Sequence, residues 1–300
     1  MPETWLGSIP GVREHEPLAP HSWYRIGGRA RYFLEATDAA VLKKVVARLN
    51  AAGVPYLTIG AASNTLFAAE EMPGLTIRVA IQELTMEGDA VRVSAGYLMP
   101  RLAADCAKAG RAGVEFGAGV PGTVGGSVFG NAGAFGRDIK DCLVSVDVIA
   151  PDGRSQTLSA ADCAFGYRDS IFKSKRTGWV ILSASLATTT EAPASIRARI
   201  MQVQKHRRDT QPIEKRSLGS TFKNPPGESA GRLIEACGLK GHRVGGAEVS
   251  RKHANFIVNL GGASAHDVLA LMAEMRNRVR ERFGIELEPE IRVVPQAAAA

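Results

Sequence analysis

Residues 113–136 read GVEFGAGVPGTVGGSVFGNAGAFG, and nine of these 24 positions are glycine. Glycine reaches positive φ and lets the backbone approach a ligand closely, at an entropic cost when it is ordered. Such density inside a folded chain points to main-chain N–H groups wrapped around an anion in concavities that no side chain obstructs. A string of tight turns with no ligand is the plainer alternative. Gly117, Gly119 and Gly122 also spell G-x-G-x-x-G, the dinucleotide fingerprint, which requires a helix opening at its third glycine. Pro121 and the glycines at 125, 126, 130 and 133 make poor helix interior, each glycine costing about 1 kcal/mol relative to alanine. The segment therefore reads as a phosphate loop and not as a Rossmann turn.

Upstream, Tyr56–Ile59 reads as a strand that runs into Gly60-Ala61-Ala62-Ser63-Asn64, a second small-residue loop whose Ser and Asn add two side-chain hydrogen bonders. Ser-Asn alone is ordinary turn chemistry; two such loops in one domain make a stronger pair. Asp38 ahead of Val41, Leu42, Val45, Val46 and Leu49 reads as a capped amphipathic helix, and Leu102–Lys108 as another. Thr76–Ile81, Val91–Ala95, Leu143–Ile149 and Val180–Leu186 are β-branched runs bounded by turn residues, hence strands. The order is not a regular βαβα alternation, so the fold class is α+β. Beyond residue 190, Ile196, Ile200 and Val203 mark a basic helix, Ser229 caps a helix stopped by Gly238, and Phe256–Val258 is a strand. Ser264 with Asp267 forms a capping box for a last helix whose Val268, Leu271, Met272, Met275 and Val279 share one face. A domain boundary is expected near residues 195–205.

Composition narrows the functional classes. Three hundred residues favour more than one domain. At 45% hydrophobic and 22% charged the chain is neither fibrous nor disordered. No apolar run approaches the ~20 residues of a membrane span, and Met1-Pro2-Glu3-Thr4-Trp5 lacks a secretory signal, so the expected location is cytoplasmic. The net charge of +7 is spread along the chain, which favours a small anionic ligand over nucleic acid, where a basic stripe with aromatics is the usual footprint. The four cysteines, Cys106, Cys142, Cys163 and Cys237, form no C-x-x-C pair; they read as reduced thiols, mostly buried, and no metal site is expected.

Three polar clusters remain: Phe165-Gly166-Tyr167-Arg168-Asp169-Ser170, Leu218-Gly219-Ser220-Thr221-Phe222-Lys223-Asn224-Pro225 and Leu287-Glu288-Pro289-Glu290-Ile291-Arg292. Taken singly each has a plain explanation, with Arg168 paired to Asp169, Ser220 capping a turn and Glu290 solvated on an edge strand. In combination with Tyr24-Arg25-Ile26-Gly27-Gly28, Ser63-Asn64, GVPGTVGGSVFGNAGAFG and LIEACGLKGHRVGGAEVSRKHANFIVN, they resemble the UDP-N-acetylenolpyruvoylglucosamine reductase (UDP-N-acetylmuramate dehydrogenase) family over nearly the whole chain.

The resemblance implies a two-part FAD-binding unit of the vanillyl-alcohol-oxidase (PCMH) type, in residues 1–80 and 81–200. A C-terminal α/β substrate-binding domain, 201–296, would follow, then a disordered tail, 297–300. It implies non-covalent FAD, with NADPH as co-substrate, and reduction of the enolpyruvyl double bond of UDP-N-acetylglucosamine enolpyruvate in peptidoglycan synthesis. It assigns the flavin to Gly60, Ser63, Asn64, Gly119, Pro121, Gly122, Thr123, Gly125, Gly126, Asn131, Gly133 and Arg292. Arg168, Ser220 and Glu290 match the family's catalytic residues, Ser220 as proton donor; Tyr167, Asn224, Lys240 and His253 match substrate contacts. Glu290 beside an anion is expected to have a raised pKa. The C-terminal part is too short for the extra loop of longer relatives. Ala61-Ala62 stand where the family commonly has glycines; because alanine cannot take positive φ without strain, an altered loop shape is expected there. A monomer is expected. The rival readings are an FAD-dependent alcohol or sugar oxidase on the same scaffold, a non-catalytic binding protein, and a Rossmann dehydrogenase.

Overall fold

A computed structural model describes residues 4–295; the tail expected at 297–300 lies outside the described residues. Among the described residues seven α-helices punctuate the chain: α1 (Ala39–Ala51), α2 (Met99–Lys108), α3 (Val124–Gly130), α4 (Ile171–Ser174), α5 (Pro193–Thr210), α6 (Ala230–Ala236) and α7 (Ala265–Phe283). The starts of α1, α6 and α7 follow from capping. The side chains of Asp38, Ser229 and Ser264 accept from the N–H groups of Val41, Arg232 and Asp267, each satisfying a donor that the first helical turn leaves without a partner. The Asp267 side chain reaches back to complete the box at α7. Gly284, at φ 68, ends α7 in the left-handed conformation.

The chain resolves into two compact units whose segments alternate in sequence. The first runs through Glu16 and includes Ala30–Ala61 and Pro73–Lys205; the second comprises Pro17–Arg29, Ala62–Met72 and everything from His206 on. The division at 205/206 falls inside α5 and not in a linker.

In the first unit, five strands form an antiparallel sheet in the order Ser155–Ser159, Leu143–Ile149, Val180–Ala187, Ala90–Ser94, Leu84–Glu87. A four-stranded sheet orders Val12–Pro17, Arg29–Ala36, Glu71–Val79 and Tyr56–Ile59, the last two parallel. Leu42, Val45, Val46 and Leu49 of α1 join Val91, Val93, Val146 and Val148 in one buried core. A smaller cluster sets Ile196, Ile200 and Val203 of α5 against Ala103 and Ala107 of α2 and against Ala112 and Ala118. Burial pushes the thiols of Cys106 and Cys142 up to about 12 and that of Cys163 to about 11, so these cysteines behave as small apolar side chains.

The second unit holds a four-stranded antiparallel sheet, ordered Arg216–Ser217, Ile257–Asn259, Ala247–Val249, Arg243–Val244. Val268, Leu271, Met275 and Val279 of α7 and Leu233 and Ile234 of α6 pack with Phe222, Leu66 and Tyr24. Tyr24 is the anchor of its segment. Its buried hydroxyl donates to the carbonyl of Ile257 at 3.1 Å, and its own carbonyl accepts from the Asn259 amide at 2.9 Å. Arg292–Val294 pairs in parallel with Thr65–Phe67, which carries the end of the chain to the Ser63-Asn64 loop. No helix among the described residues is long and apolar enough to cross a membrane.

Candidate active site

Within the first unit the two small-residue loops meet. A Cβ on Gly60 would lie 2.2 Å from the hydroxyl oxygen of Thr123, so the Thr123 side chain packs on the Gly60 backbone at a distance only glycine allows. The glycine-rich segment itself departs from expectation. Val124–Gly130 is helical, with Thr123 as N-cap accepting from the N–H of Gly126 at 3.3 Å. The glycine penalty is overridden by packing: a Cβ on Gly125 would come 2.8 Å from that of Ala95, so a larger residue would push α3 off the end of the Ala90–Ser94 strand. No Rossmann turn results, because residues 115–119 before it are a 3-10 helix and not a strand.

The expected wreath of free N–H groups is also corrected at four positions. Those of Gly122, Val124 and Gly125 donate to the carbonyls of Val120, Tyr97 and Ala95, and that of Gly126 to Thr123. These residues shape a floor without side chains and are already satisfied within the chain. The buried Ser127 hydroxyl on α3 has no protein partner. A glycine floor with an unsatisfied hydroxyl beneath it fits a flat nucleotide cofactor, by close approach more than by a ring of donors.

Arg168 follows the same α3 region in space. Its guanidinium donates to Asp138 at 3.1 Å and to the carbonyl of Gly133 at 2.9 Å, so its carboxylate partner is Asp138 and not the neighbouring Asp169. It lies 5.3 Å from the ring centroid of Tyr167, which is exposed. Asn131, assigned to the flavin from sequence, is fully buried. Its amide donates to the carbonyl of Gly166 at 2.7 Å and its oxygen accepts from the N–H of Lys140. That places its side-chain amide inside the scaffold under Arg168.

The second unit brings Ser220 and Glu290 onto adjacent backbone. Glu290 N–H donates to Thr221 and Lys223 N–H to Glu288, both at 2.9 Å, in a short antiparallel pairing of Phe222 with Pro289. Two further residues hold it. Buried Asn255 clamps Phe222 through both ends of its amide, at 3.0 and 2.8 Å. Asn64 donates to the carbonyl of Glu290 at 3.1 Å while accepting from the N–H of Arg292 at 2.9 Å. Asn64 thus supports the backbone that carries Glu290. Asn255 was missed from sequence, where an asparagine inside KHANF gives no sign of the strand it clamps.

The remaining candidates differ. Asn224 accepts from the N–H of Ala230 at 3.1 Å, at the start of α6. Lys240 pairs with Glu235 at 2.6 Å, the ordinary behaviour of a helix-end lysine. His253 accepts at Nδ1 from the N–H of Asn255 at 3.2 Å, which leaves the proton of the neutral ring on Nε2. Burial first, then the charge of Lys240, hold its pKa below the usual value. Burial likewise lowers that of Arg292. Ala62 stands at φ 44; the loop keeps the left-handed turn and accepts strain of about 1–2 kcal/mol, where an altered loop shape was expected. Arg168 and Tyr167 belong to the first unit, and Ser220, Asn224, Lys240, His253, Glu290, Ser63, Asn64 and Arg292 to the second.

An α+β chain with a glycine-floored nucleotide loop is one framework for a flavin-dependent oxidoreductase, and residues 30–159 match the FAD binding domain family. Residues 211–294 match the C-terminal domain of UDP-N-acetylenolpyruvoylglucosamine reductase. UDP-N-acetylenolpyruvoylglucosamine reductases of Bacillus licheniformis and Rubrobacter xylanophilus are 39% and 43% identical to this chain, covering 94% and 95% of it and 94% and 96% of their own lengths. The crystal structure of the enzyme from Thermus caldophilus superposes with a TM-score of 0.80 at 36% identity, over 95% of this chain and 98% of that one. The chain belongs to the UDP-N-acetylenolpyruvoylglucosamine reductase family.

Proposed function

We propose that this chain reduces the enolpyruvyl double bond of UDP-N-acetylglucosamine enolpyruvate to give UDP-N-acetylmuramate, a step of peptidoglycan precursor synthesis, with NADPH as reductant. The observation that carries the proposal is that Ser220 and Glu290, far apart in sequence, sit on directly paired backbone in a chain whose relatives bear that activity in their names over their full length. Bound FAD would supply the hydride chemistry between NADPH and C3 of the enolpyruvyl group. Gly60, Ser63, Asn64, Gly119, Pro121, Gly122, Thr123, Gly125, Gly126, Asn131 and Gly133, in parts spanning 1–80 and 81–200 of the vanillyl-alcohol-oxidase type, would hold it together with Arg292.

The chain's own residues then handle charge and protons. Addition at C3 builds negative charge at C2 and into the carboxylate. Arg168, permanently cationic and forked, grips that carboxylate, and donors fixed in advance at developing charge are the usual source of the largest catalytic effect. Ser220 delivers its hydroxyl proton to C2, a transfer that a strongly basic enolate carbon makes feasible for so weak an acid. Glu290 completes the catalytic set beside Ser220. Tyr167, Asn224, Lys240 and His253 contact the sugar nucleotide, His253 through its Nε2 proton. The chain acts as a cytoplasmic monomer. The test is product formation: one UDP-N-acetylmuramate per NADPH consumed is the expected stoichiometry, and NADPH consumed with oxygen as the only acceptor contradicts it.

A further inference from the structure

We propose that Asp138 is a positioning residue for Arg168, and that Asn131–Asp138, the end of the glycine-rich segment with the two residues after it, is the holder that fixes the guanidinium for the reaction. The inference rests on the reading of Arg168 as the carboxylate grip.

Three acceptors of this one segment converge on two adjacent nitrogens. Nη1 of Arg168 donates to Asp138 Oδ1 at 3.1 Å and lies 3.4 Å from the carbonyl of Asn131, and Nη2 donates to the carbonyl of Gly133 at 2.9 Å. The segment is a tight antiparallel hairpin in which Gly133 faces Asp138 and Ala134 faces Arg137. Glycine is required at 133 for a reason separate from any cofactor: a Cβ there would fall 1.7 Å from Asp138 Oδ1. Only without it does the carboxylate fold across the hairpin toward Arg168. The backbone of Asp138 is fixed in turn, its N–H donating to the Asp141 carboxylate at 2.8 Å.

The other end of the arginine is held as firmly. Arg168 stands at φ 53, a conformation that persists in a non-glycine residue only where the surroundings over-determine it. Gly166 and Asp169 exchange backbone hydrogen bonds around it at 3.1 and 3.3 Å, and the Asn131 amide donates to Gly166 at 2.7 Å. Lys173 donates to the carbonyl of Arg168 itself, and Ser170 ties the following turn to the carbonyl of Phe129 at 2.6 Å. A long flexible side chain is thereby fixed at both root and tip before substrate arrives, the arrangement that lets positioning lower a barrier. A surface ion pair would show neither the strained root nor the convergent acceptors.

The test uses flavin-loaded Asp138→Ala, Asp138→Asn and Arg168→Ala, with flavin reduction by NADPH and reoxidation by the enolpyruvyl sugar nucleotide measured separately. Asp138→Ala should slow reoxidation and kcat about 10- to 100-fold, the scale of a lost positioning contact, and leave the rate of reduction by NADPH within twofold. Asp138→Asn, which keeps a hydrogen-bond acceptor in the same place, should restore most of the lost rate. Adding Asp138→Ala to Arg168→Ala should cost nothing further. Wild-type reoxidation in Asp138→Ala alongside an inactive Arg168→Ala would overturn the positioning role alone. An equal loss in both half-reactions would mark Asp138 as merely structural. Full activity in Arg168→Ala would remove the underlying reading of that arginine, and this inference with it.

Discussion

Ser220 carries the least familiar demand in the proposed chemistry, because a serine hydroxyl is a poor acid in water. Its place one residue before Thr221, whose carbonyl accepts from Glu290, keeps it on backbone that Asn255 clamps through two hydrogen bonds. Ser220→Ala should therefore leave flavin reduction by NADPH intact and slow product formation at least 100-fold, the lower range for a general acid. Product formation within tenfold of wild type would remove the proton-donor role. Ala62 offers a stability test. At φ 44 its Cβ crowds the backbone, so Ala62→Gly should raise stability by about 0.5–1 kcal/mol in a urea titration, the relief of that strain less the extra chain entropy of glycine. A lower midpoint would contradict the strain. Residue types were readable before the structure, but their partners were not: the arginine beside Asp169 reaches across to Asp138, a pairing that only the hairpin creates.

Among the elements, α5 has the most to say about pH. It is tied to the head of the glycine-rich segment by Arg199, which grips Glu115 at 2.6 and 3.0 Å. Burial alone would raise the pKa of Glu115; the bonds from Arg199 and from Gly113 outweigh it and hold the carboxyl below its usual value. The folded pKa lies below the unfolded one, so the stabilisation is complete above the unfolded value of about 4.3. It is lost as pH falls through the depressed folded value. Arg199→Ala should cost about 1–2 kcal/mol at neutral pH, since Glu115 is then left buried with one fewer partner. The penalty should shrink as the solution is acidified below pH ~4; a penalty independent of pH would contradict the pairing.

Elements with side-chain caps and a single apolar face, α1 and α7 above all, were legible in the sequence to within a residue or two. α3 was not. Its glycines argued against a helix, and what stabilises it is a cap on Thr123 and contact with Ala95, a neighbour brought in by the sheet and invisible to local propensity.

At the scale of the molecule, no sequence signal marks Pro17–Arg29 and Ala62–Met72 as packing with the chain beyond His206. Both stretches are short and neither has the periodicity of an autonomous element. Their membership comes from distant partners, the Tyr24 hydroxyl on Ile257 and the parallel pairing of Thr65–Phe67 with Arg292–Val294. The family was legible because its motifs are many and ordered. What sequence reading could not supply was the division of labour within the glycine-rich segment, whose first half floors the nucleotide loop and whose end, with the two residues after it, holds Arg168.

The proposed reaction has one flavin link NADPH to the enolpyruvyl sugar nucleotide. It is tested most directly by following the flavin absorbance of the purified, FAD-loaded protein without oxygen, adding NADPH and then UDP-N-acetylglucosamine enolpyruvate. Bleaching at the first addition and full recovery of the band at the second, with UDP-N-acetylmuramate formed in equal amount, is the expected result. Bleaching that persists after the sugar nucleotide is added would contradict it.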